Sequence, residues 1–364
     1  MSDWMFGADD VNELADGCTL LGSGGGGDPY IFQLVLQELL TTRGAVRVIG
    51  VDQVAPDAQV VNVGFVGAPI VLTEKLFCED EVALALHGMR QRLGRRIDAV
   101  MAAEMAGANG LSAFIAASLL GVPVVDADGM GRAFPRSDQI SYAILGRSAS
   151  PTLVSNEHGD VVCLETRDNS RMEHLVRALS IAAGSKCFSV DYPLFGRDVP
   201  TYAIVGTVSL AKRLGHAIQH ARRSHRQPLA ALQAALHESG AAVVRQLGEG
   251  KVTSCWNETR DGFGFGTVTL EAAPTGEPMT LRYQNEFLVA CQGDRVLATT
   301  PDIISCMDTE TLAIITSDAV RYGQRVKVLA IQAPPLLRTP AALRVVGPRA
   351  FGFDLDYVPI GATA

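Results

Sequence analysis

Hydrophobic and polar positions change their period twice along this chain. In the first half, short β-branched runs alternate with stretches whose apolar residues recur every three or four positions. Ala45–Ile49, Val60–Val66, Ile97–Ala102 and Val122–Val125 are brief and largely apolar, as strands buried on both faces are. Between them, Asp9–Cys18, Asp80–Leu93 and Leu111–Leu120 carry helical spacing, with Asp80 near a helix start. This alternation predicts an α/β layered domain. The middle is helix-rich, with Asn169–Ala183, Thr207–Arg223 and Pro228–His237 separated by a segment that Pro193 and Pro200 interrupt. From about Ala241 the period becomes two, in Gly266–Leu270, Leu281–Cys291, Arg295–Thr299 and Arg325–Ile331, punctuated by Gly, Pro and Asp. The expected organisation is mixed α and β: an α/β N-terminal domain over residues 1–170, then a helical segment and a β-rich C-terminal domain over residues 171–364.

One stretch breaks these periods. In Leu21-Gly22-Ser23-Gly24-Gly25-Gly26-Gly27-Asp28-Pro29-Tyr30, five of six consecutive residues are glycine, so the backbone can make approaches that any Cβ forbids. Asp28 reads as a helix N-cap and Pro29 as the first helical residue, with Ile31, Leu34, Val35 and Leu39 on one face behind them. A glycine loop feeding a helix start offers free N–H groups to a carboxylate, a phosphate or a developing oxyanion.

Composition narrows the function classes. The 364 residues are 48% hydrophobic and 19% charged, with a net charge of −8, which argues against nucleic acid or an acidic membrane as the main partner. The basic cluster Arg222-Arg223-Ser224-His225-Arg226 closes a helix and reads as a solvated, dipole-complementing end. No secretory signal or bilayer-spanning run is visible, and the seven scattered cysteines lack any CxxC spacing, so reduced thiols and a cytoplasmic address are expected.

Four polar constellations could carry chemistry. Glu104 follows the strand Ile97–Ala102 and precedes Met105-Ala106-Gly107-Ala108-Asn109-Gly110, the position where open α/β sheets bind ligands. Asp126, Asp128 and Arg132 crowd the end of the next strand; i,i+2 carboxylates in an extended chain point the same way and can bind a hard metal or divide acid and base roles. Arg132 could clamp a substrate carboxylate. Gln284-Asn285-Glu286 interrupts a strand-like run, which is costly unless each group is paired. The segment Val346–Tyr357 reads as an aromatic tail docking on the body. Glu104, Asp128 and Asp126 are thus the catalytic candidates, and Asp126 and Asp128 the metal candidates. Gly24, Gly25, Gly26, Gly27, Asp28, Asn109, Arg132, Asn285 and Glu286 are the substrate-binding candidates. A Gly-x-Ser-x-Gly elbow, a His-Glu-x-x-His pair and a Gly-Lys-Ser/Thr loop are absent from the sequence, and His216 with His220 reads as a solvated helix face.

The segments LGSGGGGDPY, EMAGANG, VVDADGMGRAFP, YQNEFLVA and RYGQRVKVLAIQAPP, with VGPRAFGFDLDYVP near the end, resemble the S-methyl thiohydantoin desulfurase family over about Val11 to Ile360. At Leu337-Arg338, where many relatives carry a tryptophan, a lining residue would differ. The resemblance implies hydrolytic removal of sulfur from C2 of a thiohydantoin-like ring, with release of sulfide or a thiol. Glu104 or Asp128 would activate water and the N–H groups of Gly24–Gly27 would receive the negative charge. A divalent metal (Zn, Mn or Mg) on Asp126, Asp128 or Glu104 would serve the same end. A small heterocyclic substrate and a homo-oligomer are expected. The alternative is a non-catalytic subunit or regulator of a hydantoinase or oxoprolinase.

Overall fold

The computed structural model describes residues 3–68, 71–75, 77–238, 243–272 and 276–360. Among them, nine strands form a mixed sheet: β1 (Trp4–Phe6), β2 (Val46–Ile49), β3 (Gln59–Gly67), β4 (Ala99–Ala102), β5 (Val124–Asp128), β6 (Thr152–Ser155), β7 (Val161–Leu164), β8 (Lys186–Phe195) and β9 (Ile204–Val205). Their order is β1-β2-β5-β4-β3-β8-β6-β7, with β9 on β5. The inner four, β2, β5, β4 and β3, run parallel, and the flanking strands pair antiparallel. Parallel strands are covered on both faces, which explains their unbroken apolar runs. On one side Val48, Val61, Val63 and Val100 meet Leu14, Leu111 and Phe114 of the helices Val11–Leu21 and Gly107–Leu120; on the other Val60, Met101, Val125 and Leu194 form a second core.

The helix Tyr30–Arg43 starts as expected: Asp28 Oδ1 accepts the Tyr30 N–H at 2.8 Å, and Pro29 is already helical, its carbonyl accepting Gln33 N–H. The buried face differs from the expected one. Phe32, Leu36, Leu39 and Leu40 are buried and Leu34 is 48% exposed, because the helix docks through Phe32, whose ring meets Phe65 edge-on at 5.1 Å.

The second sheet is antiparallel and, among the described residues, eight-stranded: β10 (Val244–Arg260), β11 (Phe263–Ala272), β12 (Met279–Gln284), β13 (Glu286–Gln292), β14 (Arg295–Thr299), β15 (Ile303–Asp308), β16 (Ile314–Ile315) and β17 (Arg325–Ile331), in the order β14-β13-β12-β11-β10-β17-β15-β16. Its own core gathers Val268, Leu270, Leu281, Val326 and Val328. The expected strand Leu281–Cys291 is two strands joined at Asn285, whose φ is +57° while Gln284 faces Glu286. The division expected at 170/171 cuts across the first sheet, since β8 and β9 return to it after the helix Asn169–Ala182.

The two parts are tied together at several points. Arg222 is no free helix end: it pairs with Asp16 and donates to the carbonyls of Thr311 and Leu312. The tail docks as expected on Asp302, which accepts Tyr357 Oη at 2.8 Å and Ile360 N–H at 3.0 Å. Leu337 lies in the second core, fully buried, instead of lining a cavity. Among the described residues no helix is long and apolar enough to cross a membrane.

Candidate active site

Parallel strands leave their liganding ends at the carboxyl edge of the sheet, and here that edge faces the second domain. A cavity of about 80 Å³ is lined there by Gly26, Gly27, Asn62, Glu104, Asn109, Phe134, Arg177, Asp191, Asn285 and Glu286, among others.

Glu104 follows β4 and is held at both oxygens. Oε1 accepts Asn109 Nδ2 at 2.8 Å and Oε2 accepts the Phe134 N–H at 3.3 Å. Asn109 is itself fixed by the backbone of Phe65, which it both donates to and accepts from. Burial pushes the Glu104 carboxyl up to about 7, with Asp128 adding to the rise and the two donors opposing it.

Glu286 arrives from the other domain. The tight turn at Asn285, locked by Gly264 N–H on its Oδ1 at 2.8 Å, aims the Glu286 side chain across the interface. It is buried, its Oε2 meets no partner among the described residues, and burial together with the neighbouring Glu104 holds it well above the usual carboxyl range. Two acids on different sheets therefore face one cavity, the condition under which one stays neutral while the other ionises.

The glycine loop is the seam between the domains. Ser23 Oγ donates to the carbonyls of Phe287 and Ile304; Phe287 N–H reaches Ser23 O at 2.7 Å and Ser317 N–H reaches Gly24 O at 2.8 Å. On its other side, Gly26 O and Gly27 O accept N–H groups from the start of the helix Gly107–Leu120. A Cβ on Gly25 would stand 2.0 Å from Glu286 Oε1, so a side chain there forces Glu286 to move, whereas Gly26 combines a φ of +79° with a Cβ position 2.6 Å from Ala106 backbone and admits none. The expectation of four N–H donors loses one of them. Gly25 N–H is taken by Gly22 O, while the Gly24, Gly26 and Gly27 N–H groups meet no acceptor among the described residues, and of these three glycines Gly26 and Gly27 line the cavity. Asp28 is exposed and caps the next helix.

The other candidates support the site from outside it. Asp126 turns to the start of the helix Thr207–Ser224, accepting Ser209 N–H at 3.0 Å and its hydroxyl. Asp128 accepts the N–H groups of Met105 at 2.6 Å and Gly131 at 2.9 Å, so it ties the Glu104 loop to its own turn; burial pushes it up to about 7. The two aspartates spend their oxygens on different partners, and among the described residues no three His, Cys, Asp or Glu side chains gather into a metal-binding group. That donor set does not fit the metal expected on Asp126 and Asp128. Arg132 is fully buried, with Nε donating to Ala133 O at 2.8 Å, Nη1 to Asp302 O at 2.8 Å and Nη2 to Phe287 O at 3.3 Å, so it pins the second domain instead of facing a substrate. His216 is 62% exposed and meets Glu13 at 2.8 Å, a solvated pair as read.

Three lining residues escaped the sequence reading. Asn62 and Asp191 are cross-strand partners on β3 and β8, and Asn62 Nδ2 donates to Asp191 Oδ1 at 2.7 Å. Arg177, on the helix Asn169–Ala182, is held by Glu173 Oε1 and Pro135 O and stacks on Phe263 at 4.4 Å, leaving Nη1 without a partner among the described residues. A polar residue inside an apolar strand was a readable signal for Asn62 and Asp191. Helical spacing gave none for Arg177.

The fold and this cleft define a two-domain protein whose acidic site is shared between an α/β sheet and an antiparallel sheet. The chain belongs to the S-Me-THD-like family, whose N-terminal domain model matches residues 9–166 and whose C-terminal domain model matches residues 167–360. A solved structure of a protein from Chromobacterium violaceum is similar at 25% identity and a TM-score of 0.82, over 98% of this chain and 100% of its own. No curated protein matches the chain.

Proposed function

We propose that the protein hydrolyses the C2–sulfur bond of a thiohydantoin-like ring, with Glu104 as base and Glu286 as acid. Glu104, whose two oxygens are held by donors, takes a proton from the water that attacks C2. Glu286, kept neutral by burial, protonates the ring nitrogen doubly bonded to C2. The tetrahedral adduct then collapses: the C2–S bond breaks, the departing sulfur takes the proton from Glu104, and the new hydroxyl returns its proton to Glu286 as C2=O forms. Both acids are restored, and the products are a hydantoin and a thiol. The N–H groups of Gly26 and Gly27 face this chemistry as donors, each worth about 3 kcal/mol if aimed at the developing charge.

The observation that carries the reading is the convergence of two buried acids from separate domains on one cavity, one ordered by donors and one with a bare oxygen. Family membership supports the substrate class. The test is thiol release from 2-methylthio-imidazolinones and sulfide release from 2-thiohydantoins. Wild type should turn over at least one of them, and Glu104→Gln and Glu286→Gln should each fall by about 10²–10⁴-fold with folding intact. A folded wild type that leaves the whole panel untouched would refute the reading.

A further inference from the structure

Unpartnered buried polar atoms are rare, because each gives up its hydrogen bonds to water without replacement, so several on one wall point to a ligand that completes them. Three line this cavity: Asn62 Oδ1, Arg177 Nη1 and Glu286 Oε2. Their chemistry is determined by what holds the rest of each side chain. Asp191 accepts both Asn62 Nδ2 and Ser189 Oγ; a carboxylate can only accept, so the Asn62 amide nitrogen must face it and the free oxygen must be an acceptor. Arg177 spends Nε and Nη2 on Glu173 and Pro135 O, and Glu173 balances its charge, so Nη1 remains a donor from an already neutralised pair. Such a donor suits a neutral carbonyl better than a second carboxylate, which would add an uncompensated charge. Phe263, from the tip of the β10–β11 hairpin, lies over the guanidinium and keeps that donor in place.

We infer that Asn62 and Arg177 read the lactam edge of the substrate ring, with Asn62 Oδ1 accepting N3–H and Arg177 Nη1 donating to the C4 carbonyl, which leaves C2 to the two glutamates. This rests on the proposed reaction for the choice of ring. The ligand class is a five-membered cyclic imide or amide unsubstituted at N3. Asn62 and Arg177 are then specificity-determining residues that do not touch the reacting atoms.

The experiment measures binding of the inert product ring by calorimetry, so it does not depend on turnover. The probes are hydantoin, 1-methylhydantoin and 3-methylhydantoin. Methylation at N3 should weaken binding to wild type by about 30-fold or more, since it removes the hydrogen bond and strands the Asn62 oxygen, whereas methylation at N1 should leave this edge intact. Asn62→Leu should bind hydantoin and 3-methylhydantoin alike. Arg177→Met should lose affinity for both by a similar factor. Equal binding of the two methylated rings to wild type overturns the inference, as does absence of saturable binding by hydantoin. Because the methylated probes act on the unaltered protein, a poorly folding variant does not blunt the test. Discrimination at N3 without turnover of any thiohydantoin would sustain the edge and defeat the reaction. Turnover indifferent to N3 methylation would do the reverse.

Discussion

Replacing Glu104 with glutamine should stabilise the protein above neutrality while removing its activity. Burial pushes this carboxyl from an ordinary 4.5 to about 7. Between those values the folded state holds a proton that the unfolded chain has released. Stability therefore falls as pH rises from about 4.5 to about 7 and is flat beyond. An interval of about 2.5 pH units at about 1.4 kcal/mol each gives roughly 3.5 kcal/mol lost by the wild type at pH 8. Glutamine escapes that loss. Its carbonyl can keep the bond from Asn109, but its amide then faces the Phe134 N–H, which forfeits a bond worth about 1 kcal/mol. The net expectation is a variant more stable by about 2.5 kcal/mol at pH 8 and slightly less stable near pH 5. Urea midpoints for both proteins at the two pH values measure this directly. A difference that stays constant with pH would show that the Glu104 carboxyl does not titrate as its surroundings dictate, and would remove the basis for using it as a base near neutrality.

The same surroundings set the other outcomes. Turnover should rise through about pH 7 as Glu104 loses its proton, and Glu286→Gln should erase any alkaline decline as well as most of kcat, which a pH–rate series would check. Gly25→Ala places a Cβ 2.0 Å from Glu286 Oε1, the movable end of a side chain; kcat should fall at least about tenfold with the melting temperature nearly kept. Gly26→Ala meets Ala106 backbone at a φ of +79° and should instead lower stability, by about 1–3 kcal/mol in a denaturation series. Asp126→Asn should weaken the start of the helix Thr207–Ser224 by about 1 kcal/mol and leave turnover within about twofold; a loss of activity in a folded Asp126→Asn protein would restore it to the chemistry.

What the chain disclosed about itself follows from the range of the interactions involved. Period and punctuation located the helices Asn169–Ala182 and Thr207–Ser224 and the strands β2 to β5, because those depend on neighbours within a few residues. The return of β8 to pair with β3 is an antiparallel contact across several helices and the strands β4 to β7, and leaves no local trace, so the sheet is wider than its alternating pattern suggests. Glu104 could be placed on a strand end from the glycines that follow it. Glu286 stood out in its strand-like run as a binding candidate, but the turn that aims it left no signal, because its hairpin turns on Asn285 alone, without the Gly or Pro that usually marks a turn. Asp126 and Asp128 misled for a related reason: crowded acids look alike in sequence whether they face a cavity or cap a backbone. The N–H groups that claim these two come from Ser209, Met105 and Gly131, and only the folded chain brings Ser209 near.

The division of labour between Glu104 and Glu286 follows from which carboxyl the protein equips to carry charge. Both are buried, and Glu104 raises Glu286 through proximity. Glu104 has donors on both oxygens, and hydrogen bonds to a carboxylate favour its ionised form. Glu286 has a bare Oε2 and so lacks that support on one side. When one proton leaves the pair it must therefore leave Glu104, and the resulting anion then holds the proton on Glu286 more firmly. The order of titration produces a base and an acid side by side near neutrality. It requires both domains, since the seam of Ser23 and Gly24 against Phe287 and Ser317 is what sets Glu286 over Gly25 and within reach of the first sheet.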